Sequence, residues 1–277
     1  MPLSQSALQC LYDPQRYDSG APLSELAALR AQHAVIWVEE HMLPQWQAGP
    51  GFWLVLRHQE CTDVLRNPEL FSSWLGATQL RDPATPSDLA YVRRMMLNMD
   101  PPEHTRLRRL LINAFTRKAV SRLEHKIAGH ARTIVDRVIG DRSEGESNFV
   151  TDVAADLPLL CLADQFGLPR EDRYLMLDWA NSVIGYQDPD YATSAAFDRE
   201  AGTDMARQAL KYRPATAPDG TMPDPRTREG MADLYRYAHL LAEHKRAQPG
   251  DDIMSLLLAQ EDDSGHALSV EEFENMF

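Results

Sequence analysis

His104 and Arg108 stand four residues apart in the run D-P-P-E-H-T-R-L-R-R-L-L-I-N-A-F, Asp100 to Phe115, and on a helix that spacing sets one above the other. At about 100° per residue, Leu107, Leu110, Leu111 and Ala114 share an apolar face, while Arg106, Arg109 and Asn113 point away. His104 and Arg108 fall along the edge between the two. An imidazole and a guanidinium beside a buried face suit an anion that is itself half buried, such as a carboxylate or phosphate on a mostly apolar ligand. The spacing also admits a plainer reading, in which both are boundary residues of an amphipathic helix.

The helix that must carry them has start signals. Asp100 can cap orphan N–H groups, and Pro101 sits where its missing N–H costs nothing. Glu103 follows three residues after Asp100, as in a capping box, with its charge at the positive end of the helix dipole.

The longer run M-D-P-P-E-H-T-R-L-R-R-L, Met99 to Leu110, resembles the helix C signature of the bacterial cytochrome P-450 haem-thiolate monooxygenases. The resemblance implies that His104 and Arg108 hold the haem propionates. It also implies insertion of one oxygen atom from O₂ into a C–H bond of an apolar small molecule, with electrons from a ferredoxin-type donor.

With 277 residues, 44% hydrophobic and 25% charged, the chain has the make-up of a globular protein rather than a disordered one. A net charge of −13 argues against nucleic acid or an anionic membrane as the main partner. Against that background, Arg106, Arg108, Arg109, Arg117, Lys118 and Arg122 follow one another without an acid between them. Such a run is commonly a solvated face. The family resemblance implies instead a docking surface for an acidic electron donor, with Arg106, Arg109 and Arg117 as its candidates.

The N-terminus lacks a basic and apolar leader, and no run approaches a membrane span. Cys10, Cys61 and Cys161 are scattered and odd in number, so a cytoplasmic, disulfide-free protein is expected.

Taken in order, the chain predicts a mainly α fold with a small antiparallel β region. A helix is expected at Leu23 to Gln32 with Ser24 near its cap, strands at Ala34 to Glu39 and Phe52 to Arg57 around a Gly-Pro-Gly turn, and a helix at Glu60 to Leu65. This order, closing on N-P-E-L-F-S, also resembles the opening of the bacterial cytochromes P-450. A long connection, 74–98, includes a helix at Asp88 to Met96. Further helices are expected at Ala119 to Ile139, Val150 to Phe166, Glu171 to Gly185, Ser194 to Tyr212 and Gly230 to Arg246. Cys161 is expected to be a buried core residue.

By resemblance, Met95, Met96 and Leu97 belong to a loop over the substrate pocket, and Ile184 lies on a helix of the pocket roof. Plain core or loop packing is the alternative for Met95, Met96 and Leu97. The Pro-rich run Pro214 to Pro225 makes the segment 191–228 longer than the corresponding family connection.

Ser269 and Glu272 form another capping box, which starts a helix at Val270. The sequence ends at Phe277, about two turns on, too short for a helix to stand without tertiary support. By resemblance the chain is one incomplete cytochrome P-450 domain, residues 1–277, from helix A to the start of the central helix. The oxygen-activating residues, the E-x-x-R helix and the thiolate cysteine are expected to be absent. The expectation is therefore that this polypeptide hydroxylates nothing alone; a non-enzymatic remnant that binds an apolar ligand or protein partner is the alternative.

Overall fold

A computed structural model of the chain describes residues 8, 11–18, 20–42, 49–76, 85–112, 115–140, 146–185, 202–218, 221, 223–262 and 264–277. The first part of the helix expected at Ser194 to Tyr212, residues 194–201, lies outside these residues, as do Asn113, Ala114 and Cys10. The chain divides into two units, Met1–Asp82 and Pro83–Phe277.

In the first unit, helix α1 (Leu23–Gln32) precedes an antiparallel pair, β1 (Val35–Val38) and β2 (Phe52–Val55), and helix α2 (His58–Arg66). The register pairs Trp37 with Trp53, and their rings meet edge to face at 5.2 Å. Gly51, at φ +92°, turns the chain where a Cβ would overlap the Trp37 ring. Ser24 does not cap α1: its hydroxyl donates to Glu25 at 2.7 Å, and Pro22 occupies the N-cap without a side-chain bond. Arg57 instead ties the unit together, donating to the Arg30 and Ala31 carbonyls that the end of α1 leaves open.

The second unit is helical: α3 (Pro86–Val92), α4 (Glu103–Ile112), α5 (Arg117–Ile139), α6 (Asp156–Phe166), α7 (Arg173–Gly185), α8 (Asp204–Leu210), α9 (Ala232–Ala247), α10 (Ile253–Ala259) and α11 (Val270–Met276). Thr85 caps α3 through the Asp88 N–H, so this helix begins and ends earlier than the apolar pattern suggested. The segment expected to run as one helix from Val150 starts as a π turn, Val150–Ala154, before α6. Gly167, at φ +65°, ends α6, the left-handed stop that glycine adopts without strain. Cys161, expected in the core, is half-buried.

Helix α9 packs against α8, α10 and α11. Tyr237, Ala238, Leu241 and Ala242 are buried there, as are the polar Asp233, Tyr235 and Lys245. A helix enclosed on several sides must satisfy the polar groups it carries inward. Asp233 accepts from Trp179 at 3.0 Å, Lys245 pairs with Asp252 at 2.6 Å, and the Tyr237 hydroxyl donates to Asp172 at 2.8 Å. Among the described residues no helix is long and apolar enough to cross a membrane.

Candidate functional site

Helix α4 begins at Glu103, two residues later than its start signals suggested. The Asp100 carbonyl accepts the His104 N–H at 3.0 Å and the Pro102 carbonyl the Arg106 N–H at 3.0 Å. Leu107 and Leu110 are buried, and the helix packs against α10 and the turn Met96–Asn98. The apolar face thus fixes how the remaining positions are presented.

On that helix His104 is half-buried and Arg108 exposed. Neither forms a side-chain hydrogen bond or ion pair among the described residues.

Arg106 behaves differently. The sequence set it on the outward face with Arg109, but its side chain is 26% exposed and fully engaged. Its Nε donates to Glu103 at 3.0 Å, its Nη2 donates to both Glu103 and Glu272, and Asp262 lies 3.6 Å from Nη1. Glu272 closes the capping box of α11: its N–H donates to the Ser269 hydroxyl at 3.1 Å, and its carboxylate accepts the Ser269 N–H at 2.8 Å. Burial would raise the Glu272 carboxyl, but the bonds from Ser269 and Arg106 outweigh it and hold the group below the usual carboxylate range. The amides of His266 and Ser264 lower Asp262, with Arg106 adding to them.

Arg109 lies on the surface and lines an open cleft of about 620 Å³, together with Pro101, Pro102 and Thr105 near the start of α4 and with Gln260, Glu261, Asp262 and Ser264. Arg117 is exposed at the start of α5, and the side chains of Lys118 and Arg122 lie outside the described set. Met95 and Met96 are half-buried, and Leu97 and Ile184 are exposed. None of these four lines the cleft.

Both described cysteines, Cys61 and Cys161, are half-buried. Cys61 donates from Sγ to the Val55 carbonyl at 3.6 Å. Burial, and then the Asp164 carboxylate, push the Cys161 thiol up. In charge and hydrogen-bonding type, the donors along the His104–Arg108 edge fit the two carboxylates of a haem.

Sequence reasoning missed the carboxylates around Arg106. The capping box identified Glu272 as a helix-start residue, but its cationic partner is 166 residues away, beyond any local signal. It also missed Glu274, buried on α11, which accepts from Arg228 at 3.0 Å and meets His239 at 3.1 Å.

The architecture is that of a cytochrome P450. A solved Mycobacterium marinum cytochrome P450 in complex with pseudoionone aligns with a TM-score of 0.67 at 29% identity, over 98% of this chain and 56% of that one. The steroid C26-monooxygenase of Mycobacterium tuberculosis is 30% identical over 266 residues, covering 94% of this chain and 53% of that protein. The methyl-branched lipid omega-hydroxylase of the same organism is 30% identical over 251 residues, 91% of this chain and 51% of that protein. No family model matches the chain. The chain spans about half the length of the curated relatives it matches, and over that span it belongs with the bacterial cytochromes P450.

Proposed function

We propose that this chain forms the propionate-binding and part of the substrate-facing portion of a haem-thiolate monooxygenase that inserts one oxygen atom from O₂ into an apolar small molecule. The observation that carries the reading is the His104–Arg108 pair, two cationic or donor groups on one helix edge without partners among the described residues. Haem, when bound, supplies the oxygen chemistry. His104 and Arg108 offer hydrogen bonds and charge to its carboxylates. The relatives' names point to steroids and branched lipids as the substrate class. Met95, Met96, Leu97 and Ile184 are the proposed pocket contributors.

A ferredoxin-type donor would dock on Arg109 and Arg117, with electrostatics setting mainly its rate of encounter. Arg106 contributes less, because Glu103 and Glu272 already neutralise it. An acidic chain with no membrane-length apolar helix among its described residues suits a cytoplasmic protein without nucleic-acid partners. None of Cys10, Cys61 and Cys161 stands in a sequence resembling the family's glycine-rich thiolate loop, so the 277 residues by themselves are proposed to be inactive.

The lack of that loop in the sequence also favours a second reading, a non-enzymatic remnant that binds an apolar ligand or a protein. The two are separated by the intact mass of the protein isolated from its native locus and the absorption of the reduced, CO-bound sample. A mass well above 31.3 kDa with a thiolate-haem band is expected. A mass near that value with no haem band would sink the catalytic reading and leave the remnant.

A further inference from the structure

Far along the sequence from the His104–Arg108 edge, α9 and the chain around it form an open cleft of about 380 Å³, lined by Tyr212, Arg228, Glu229, Tyr235, Arg236 and His239, with Glu274 at its base. The charges in it are unequally matched. Glu274, 8% exposed, is taken by Arg228 at 3.0 Å and by His239 at 3.1 Å. Arg228 also lies over the Tyr235 ring, 4.7 Å from its centroid. Arg236 has neither hydrogen bond nor ion pair among the described residues, and its Nε is buried without an acceptor. Its contact is the Tyr212 ring, 5.8 Å away, and that ring is 57% exposed.

Arg236 lines the cleft and has no ion pair among the described residues, so an anion in the cleft would supply its guanidinium with a counter-charge. A planar guanidinium matches the two oxygens of a carboxylate. The exposed Glu229 and the buried Glu274 share the same cleft and oppose a second negative charge on the ligand, so a monoanion is favoured over a phosphate dianion. Tyr212, Tyr235 and Ala232 supply a surface for a flat or apolar body. We propose that this cleft binds the carboxylate of a small organic acid, with Arg236 as the anion-binding residue and Tyr212 as the wall for its body. The site needs no haem and stands independently of the monooxygenase reading.

The test titrates the full chain, without haem, with 2-naphthoate, followed by ligand fluorescence. 2-Naphthylmethanol serves as the neutral analogue and inorganic phosphate as the dianion. One-to-one binding of 2-naphthoate is expected, weakened roughly tenfold or more by Arg236→Gln and weakened also by Tyr212→Ala. Glu229→Gln, at an exposed position that leaves the fold unchanged, should tighten it. Equal binding by wild type and Arg236→Gln would overturn the proposal, as would equal binding of the neutral analogue, tighter binding of phosphate, or no gain from Glu229→Gln.

Discussion

The Arg106 guanidinium bridges Glu103, on its own helix, and Glu272, the residue that closes the capping box of α11. One side chain therefore fixes the start of the last described helix against the helix that carries His104 and Arg108. Arg106→Leu leaves Glu272 with its Ser269 bonds but without its counter-charge. Discounted for the partial exposure of both groups, the expected loss is about 1–2 kcal/mol in urea unfolding. Arg106→Lys, which keeps charge without the planar fork, should recover part of it.

Acid should unfold the protein partly through Glu272 and Asp156. Asp156 is 2% exposed and accepts from Arg137 at 2.6 Å and Arg173 at 3.1 Å. Burial would raise its carboxyl, but the two guanidiniums outweigh that and hold it low. A carboxyl lowered in the folded state contributes stability above its unfolded pKa, and loses it as pH falls through the folded one. Unfolding free energy measured from pH 7 downward should fall through and below the ordinary carboxylate range, and Asp156→Asn should flatten that slope. An unchanged slope in the variant would refute the assignment.

Gly167 is irreplaceable for two separate reasons. Its φ is +65°, and a Cβ there would overlap the Lys245 ammonium and the Asp252 carboxylate, a buried pair at 2.6 Å. Gly167→Ala should cost roughly 3 kcal/mol or more, from left-handed strain and displacement of the pair. A midpoint in denaturant close to that of wild type would show that the loop after α6 yields more easily than its contacts imply.

His104→Leu and Arg108→Leu should separate binding from folding. Both side chains lack partners among the described residues, so each substitution should change stability by about 0.5 kcal/mol or less. Haem retention by the native holoprotein should nevertheless fall, most in the double variant. Equal loss of stability and haem would point to a structural role instead.

Arg109→Glu and Arg117→Glu should slow first-electron transfer from a ferredoxin at low ionic strength, with the deficit shrinking as salt rises. Stopped-flow reduction at two salt concentrations measures this. A deficit that does not depend on salt would exclude electrostatic docking at these positions.

The sequence by itself determined the elements whose signals are local. The capping box at Ser269 set the start of α11 at Val270, the helix expected to end at Phe166 does end there, and the Gly-Pro-Gly turn separated two strands close to their observed limits. Helix α4, with Leu107 and Leu110 inward, was legible for the same reason: a 3.6-residue period records which face is buried.

Only the tertiary structure decided what faces each polar side chain. Arg106 read as an outward residue because helical spacing carries no information about Glu272, far along the chain. On α9 the apolar Leu234 is only half-buried, whereas Asp233, Tyr235 and Lys245 are enclosed. Their partners Trp179, Tyr91 and Asp252 come from other segments. A periodic pattern reports the burial of apolar groups, which follows from water and local geometry; the satisfaction of buried charge depends on which distant acid or base the fold brings within hydrogen-bond reach.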